Sequence, residues 1–319
     1  AEYNDLSMMR NVLSLELFRQ QTTLPVSRWR YVWLKVNDED QGLHLQVERM
    51  TEPFLERWGR DPTQVRYEAD PLSSSTLTGA SALVPLNNLQ EYWNAYELKG
   101  GASYAPLIDF IENILLPISR ADWGMQESIR LAQVLKWGEY LRYFAVMTVI
   151  QNLDHIRKNY QITRTIDSNG HMKWEVYPWD LDLSWGCLFN DELGTSLCDD
   201  LVSDIPLHLG QSPDGSAPSY PTDGLYNLLI ERSLTPMVAR AKYEAILCEL
   251  TQPLEENRAL SHILRWRNAL KKWLEPWLIR DESSRSQDPM VFLAATEALE
   301  TFLIERSDFI RNQLSCSDE

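Results

Sequence analysis

A chain of 319 residues carrying a formal net charge of −16 is long enough to bury a large core, as one two-lobed domain or two close-packed ones. Its acidity repels nucleic acid and anionic lipid at long range, so neither is an expected partner, whereas divalent cations and basic protein substrates suit that field. No run of about 18 uncharged apolar residues occurs, so no membrane span is expected.

The opening AEYNDLSMMRN has neither the basic nor the apolar region of a secretory signal. Ser7 before MMRNVLSLELFRQQ predicts an N-capped helix with Met9, Leu13, Leu17 and Val12 on its apolar side. WRYVWLKV and LHLQVER read as two strands joined by NDEDQG, a hairpin that carries Glu48 near its end. TEPFLERW reads as a short helix capped by Thr51, with Pro53 in its first turn. Residues 68–106 read as irregular, apart from a helical pattern over 86–98.

From about residue 105 the texture becomes helical. PLIDFIENILLP is followed by one long pattern over 127–153, apolar nearly all round in its second half and therefore expected in the middle of a core. That helix runs into Asp154. NYQITRTI and KWEVYPWD then predict a hairpin turned by DSNGH, whose Asn-Gly pair is a tight-turn signal. A Gly, Pro, Ser and Asp-rich loop over 190–224 precedes helices over 225–250, 255–279 and 289–314, punctuated by Pro253, Pro276 and Pro289. The four cysteines lack zinc-ligand spacing, although Cys187 and Cys198 are placed to pair across the loop after the hairpin.

The chemistry concentrates at this second hairpin. A buried helix ends at Asp154, Asn159 follows five residues later, and the returning strand brings Asp180 and Asp182. Phosphoryl transfer from ATP uses such a set: one carboxylate to orient a hydroxyl and take its proton, and an amide oxygen with a second carboxylate to hold Mg²⁺ or Mn²⁺. The spacing alone is common, and a surface turn with solvated aspartates is the plain alternative. Pro178, Trp179 and Trp185 favour burial, and a buried carboxylate needs a partner. If the strand continues, Asp180 and Asp182 point to one face.

No Gly-x-Ser-x-Gly or His-Glu-x-x-His motif and no Gly-rich phosphate loop occurs. His155 adjoins Asp154, with an ordinary hydrogen-bonding role expected. Trp137, Trp266 and Trp273 lie in helical patterns that favour core packing, and RWRNALKKW (265–273) reads as a solvated basic face.

MMRNVLSLELF, WLKVNDEDQGLHLQVERMTEPFL, NLDHIRKNY and YPWDLDLSWG together resemble the spore coat protein H kinase family, atypical kinases that share the protein-kinase plan. The resemblance runs through the first 186 residues. It implies an α+β, two-lobed fold: a small mixed α/β part over 1–104, and a mostly helical part over 105–319 that carries the catalytic loop and metal hairpin. It implies Asp154 as the catalytic aspartate, Asn159 as its companion, and Asp180 with Asp182 as metal candidates. Glu48, following Gly42-Leu43-His44, falls where the family has a glutamate and is implied at the nucleotide. The implied reaction moves phosphate from ATP to a protein serine or threonine hydroxyl, at the spore surface or outside the cell. Two departures stand out. Glu68 in RYEA replaces a lysine, with Lys35 as a weak substitute, and the sequence begins almost at the first helix, ahead of which the family usually carries further strands. A catalytically inactive binding or adhesion module and, less so, a metal-assisted hydrolase are the competing expectations.

Overall fold

The computed structural model describes residues 5–69, 81–116, 124–167, 169–190, 195–198, 201–211, 226–253, 257–281 and 288–317. In chain order come α1 (Arg10–Gln21), the hairpin of β1 (Trp29–Val36) and β2 (Glu39–Val47), α2 (Glu52–Arg57) and β3 (Arg66–Ala69). Next are α3 (Leu89–Ala95), β4 (Tyr96–Gly100), and α4 (Ala105–Asp109), which runs into a π-helical turn at Phe110–Leu115. Helices α5 (Met125–Val134) and α6 (Trp137–Ile150) lead through a 3-10 turn at Asp154–Ile156 to β5 (Tyr160–Ile166) and β6 (Met172–Pro178). The short β7 (Leu188–Asn190) and β8 (Thr195–Leu197) precede α7 (Leu228–Leu234), α8 (Met237–Leu250), α9 (Arg258–Leu278) and α10 (Pro289–Leu314). The architecture is therefore mixed α/β with antiparallel sheets, and its last third is helical.

The central sheet has the order β4-β3-β5-β6, all antiparallel. It draws strands from both sides of residue 104. Alternation gives it two unlike faces. Tyr67, Ala69, Tyr160, Ile162, Trp174 and Val176 face the main core. The opposite face presents Glu68, Gln161, Thr163, Glu175 and Tyr177, all buried, with Tyr177 packed against Phe54 and Leu55 of α2. A polar buried face spoils the alternating pattern by which strands are recognised, and β3 and β4 are short. That is why 68–69 and 99–100 read as irregular and 96–98 as the end of a helical pattern.

Helix α6 is the centre of the core, packed against α8, α1, β6 and α10. The single helix expected over 127–153 is two helices. Leu135 leaves the helical conformation to bridge Trp174, and the Lys136 N–H donates to the Trp174 carbonyl (2.9 Å). Pairing with the edge of β6 thus overrides local helix preference. The helix expected over 225–250 also divides, at Thr235–Pro236, where Pro236 is extended (ψ 131°) and, having no N–H, cannot continue the helical ladder. Pro276, expected to punctuate, lies inside the last turn of α9.

At the front, α1 is buried along Arg10–Phe18 rather than on one side. Ser7 is not its cap residue. Met9 holds that position, while Ser7 Oγ accepts the Met9 N–H (3.2 Å) and Asp5 accepts that of Arg10 (2.8 Å). The first hairpin turns more tightly than expected: Asn37 and Asp38 both have positive φ (51° and 66°), and β2 starts at Glu39. Cys187–Cys198 is a disulfide, and a second, Cys248–Cys316, ties α8 to the residues after α10. Trp273 is half-exposed, packed at a tilt against Tyr31 and Trp277, rather than core. Arg267 is buried against Glu300 and the Thr296 carbonyl, so the 265–273 stretch is not simply a solvated face.

Candidate functional site

Helix α6 ends where Gln151 adopts the left-handed conformation (φ 52°) and the Asn152 N–H donates to the Met147 carbonyl (3.0 Å). Asn152 is buried and ties two loops together. Its Nδ2 donates to Ser184 Oγ (3.0 Å), and its Oδ1 accepts the His155 N–H (3.0 Å). Asp154 opens the following 3-10 turn. Its carbonyl accepts the N–H groups of Arg157 (3.0 Å) and Lys158 (2.8 Å), and this tight return sets the Lys158 ammonium 3.2 Å from Asp154 Oδ2.

Asn159 also lies in the left-handed region (φ 58°), where asparagine is tolerated better than most residues. Its N–H donates to the Ala69 carbonyl (2.9 Å), fixing the start of β5 against β3. Its amide Nδ2 donates to Asp154 Oδ2 (3.2 Å) and to the Asp180 carbonyl (3.3 Å). One side chain therefore joins the loop after α6 to the loop after β6. Both bonds use the nitrogen, which leaves the amide oxygen as the atom suited to a cation.

Asp180 and Asp182 are not on a strand. β6 ends at Pro178, paired with Tyr160, and Asp180 turns the chain with φ 52°. Leu181, Ser184 and Trp185 are driven inward. Trp185 anchors the loop through its N–H to the Ile150 carbonyl (2.6 Å) and its indole N–H to Ser14 Oγ (2.9 Å). With Leu181 buried between them, Asp180 is exposed and Asp182 half-buried. The same-face expectation fails because apolar burial of this segment, not strand pairing, sets its path.

The electrostatics tie these groups together. Burial, then the carboxylates of Asp154 and Asp5, push the Asp182 carboxyl above its ordinary value, against the Leu183 N–H and Lys158. Burial pulls the Lys158 ammonium down, but Asp154, Asp180 and Asp182 outweigh it and the net shift is upward. Asp5, buried and ion-paired with Arg10, backs the group from the N-terminal side. His155, by contrast, is a core residue: it packs on Tyr143 and Phe144, bonds the Asn152 carbonyl, and burial lowers its pKa to about 4.

Two carboxylates and an amide oxygen on adjoining loops are the donor types a hard divalent cation takes, with water completing its shell. Among the described residues no group of three or more His, Cys, Asp or Glu is disposed to hold a metal, so a site here needs the Asn159 oxygen. The structure thus brings Asp154, Asn159 and Asp180 together, with Asp182 alongside. Glu48 makes its contacts elsewhere: it pairs with Arg57 and accepts the Arg28 N–H (2.9 Å). Glu68 accepts from Gln161 Nε2 (2.8 Å) and pairs with Lys99 (3.2 Å), while Lys35 pairs with Asp40 (3.2 Å) in the exposed first hairpin. A cavity of about 760 Å³ lies at the other end of α6, lined by Lys136, Trp137, Arg142 and Lys242, away from this cluster. Sequence reading missed Lys158, whose position four residues after Asp154 was a usable signal. It also missed the Asn152–Ser184 tie and Asp5, which only the fold brings near.

A family model described as CotH kinase protein matches residues 1–310. Over 186 residues the chain is 26% identical to the inner spore coat protein H of Bacillus subtilis (strain 168), a match covering 58% of this chain and 49% of that protein. The match thus spans about half the length of that relative.

Proposed function

Because the chain belongs to the CotH kinase protein family, we propose that it is a metal-dependent phosphotransferase moving the γ-phosphate of ATP to a serine or threonine hydroxyl of a protein. The plan would be that of a two-lobed, kinase-like fold, with residues 1–104 as the small part and 105–319 as the mostly helical part. The observation that carries this reading is the Asn159 amide, which bonds both Asp154 and the Asp180 carbonyl and so ties the residue proposed as base to the loop of the residue proposed as metal ligand.

In that role Asp154 orients the acceptor hydroxyl and takes its proton, which general-base arguments value at about 10²–10⁴ in rate. The Asn159 oxygen and the Asp180 carboxylate would hold Mg²⁺ or Mn²⁺, with Asp182 as the further candidate. When bound, the metal supplies neutralisation of charge on the phosphates. Asp154→Asn should lower phosphate transfer from radiolabelled ATP by that same factor, about 10²–10⁴, with nucleotide binding retained. Unchanged turnover would remove Asp154 from the role.

The disulfides support placement outside a reducing compartment, since all four cysteines are paired and such bonds persist where conditions are oxidising. With a relative named for the inner spore coat, this favours a spore or cell surface. No helix among the described residues is long and apolar enough to cross a membrane. A second reading, an inactive binding module, is favoured by Glu68, whose buried carboxylate is committed to Gln161 and Lys99. That reading predicts no affinity for ATP with any divalent metal.

A further inference from the structure

Lys158 stands in an unusual place for a lysine. Its backbone is fixed, with its N–H on the Asp154 carbonyl (2.8 Å) and its neighbour Asn159 locked to β3. Its ammonium sits 3.2 Å from Asp154 Oδ2, and the charges of Asp180 and Asp182 also favour its protonated form. An exposed i,i+4 ion pair would be of little consequence. Here the Asp154 side chain is only 17% exposed, and the cation serves more than one carboxylate. The lysine side chain is 39% exposed, so it has a path outward that Asp154 lacks.

We propose that Lys158 is a resident counter-ion for the Asp154, Asp180 and Asp182 carboxylates, holding the cation position until a divalent metal displaces it. The inference deepens the metal-dependent reading above and rests on it. An ammonium and a divalent ion repel strongly when both lie within a few ångströms of the same carboxylates. The Asp154 carboxylate and the Asp180 backbone are held by the loop network of Asn152, Asn159 and Trp185, so the long flexible lysine is the group that moves. Its departure would leave Asp154 Oδ2 with the Asn159 amide as its remaining donor.

The test is Mn²⁺ binding to the full chain without nucleotide, read by loss of the free-ion electron paramagnetic resonance signal. Lys158→Met, which keeps the stem and removes the charge, should bind Mn²⁺ on the order of tenfold more tightly than wild type, the size of one charge interaction at a half-exposed site. Lys158→Arg should stay near wild type. Equal or weaker binding by Lys158→Met, with wild type binding normally, would overturn the counter-ion and leave the metal site standing. No binding by any of them would overturn both. A second readout needs no variant: in the wild-type chain, amine labelling of Lys158 followed by mass spectrometry should rise when Mn²⁺ is added. Unchanged or reduced labelling in a chain shown to bind Mn²⁺ would count equally against displacement.

Discussion

Asp182 shows how far the site's charge is out of balance. Burial and the neighbouring carboxylates of Asp154 and Asp5 raise its pKa, so the fold favours its protonated form. That stabilisation is complete below the ordinary carboxylate range, is lost as pH rises through the raised value, and leaves an ionised group that costs stability at neutral pH. Asp182→Asn should therefore raise the melting temperature of the metal-free chain at pH 7 by about 2 °C. The gain should fade below about pH 4, where ordinary carboxyls protonate. A loss of stability at pH 7 would show that Asp182 is held by partners stronger than the Leu183 N–H and Lys158. The meeting of Asp154, Asn159 and Asp180 was legible in the sequence because spacing and the intervening hairpin survive in one dimension. The left-handed turns at Asn159 and Asp180 were not, since the burial of Leu181 and Trp185 dictates them from the far side of the core.

Between elements, Glu175 does for the scaffold what Asn159 does for the site. From β6 its buried carboxylate accepts from Arg60 Nε (2.9 Å) and Nη2 (2.8 Å), pairs with Lys136 at the break before α6, and accepts the Tyr177 hydroxyl (2.8 Å). Burial raises its pKa, but Arg60 and Lys136 prevail and hold it below the ordinary value. Glu175→Gln leaves two cations short of a partner in a part-buried layer, and should cost about 3 kcal/mol in urea denaturation. A change near zero would mean that water reaches this face of the sheet. The same layer explains the reading of 68–106 as loop. Glu68 and Lys99 look like surface residues in sequence, yet they line a polar sheet face covered from the α2 side. The α5–α6 break has the same kind of origin. Nothing local to Leu135 and Lys136 announces it, because its cause is the distant edge of β6.

On the scale of the whole molecule, the helical last third was legible from its periodicity, and Cys187–Cys198 from its spacing across one loop. The Cys248–Cys316 disulfide was not, because its partners are 68 residues apart and meet only when α8 and α10 pack. A crosslink over that span constrains the unfolded chain most, so Cys316→Ser should lower stability by about 4 kcal/mol. Stability unchanged by that substitution would mean the helical packing alone holds the C-terminal end. The central claim concerns the other end of α6, where the acidic loops meet. The most direct measurement is calorimetric titration of ATP into the full chain with Mg²⁺, with Mn²⁺ and without metal, alongside Asp180→Ala. Binding that requires metal and disappears in Asp180→Ala is the predicted result. Binding indifferent to metal, or none under any condition, would contradict the phosphotransferase reading and leave the cluster without nucleotide chemistry.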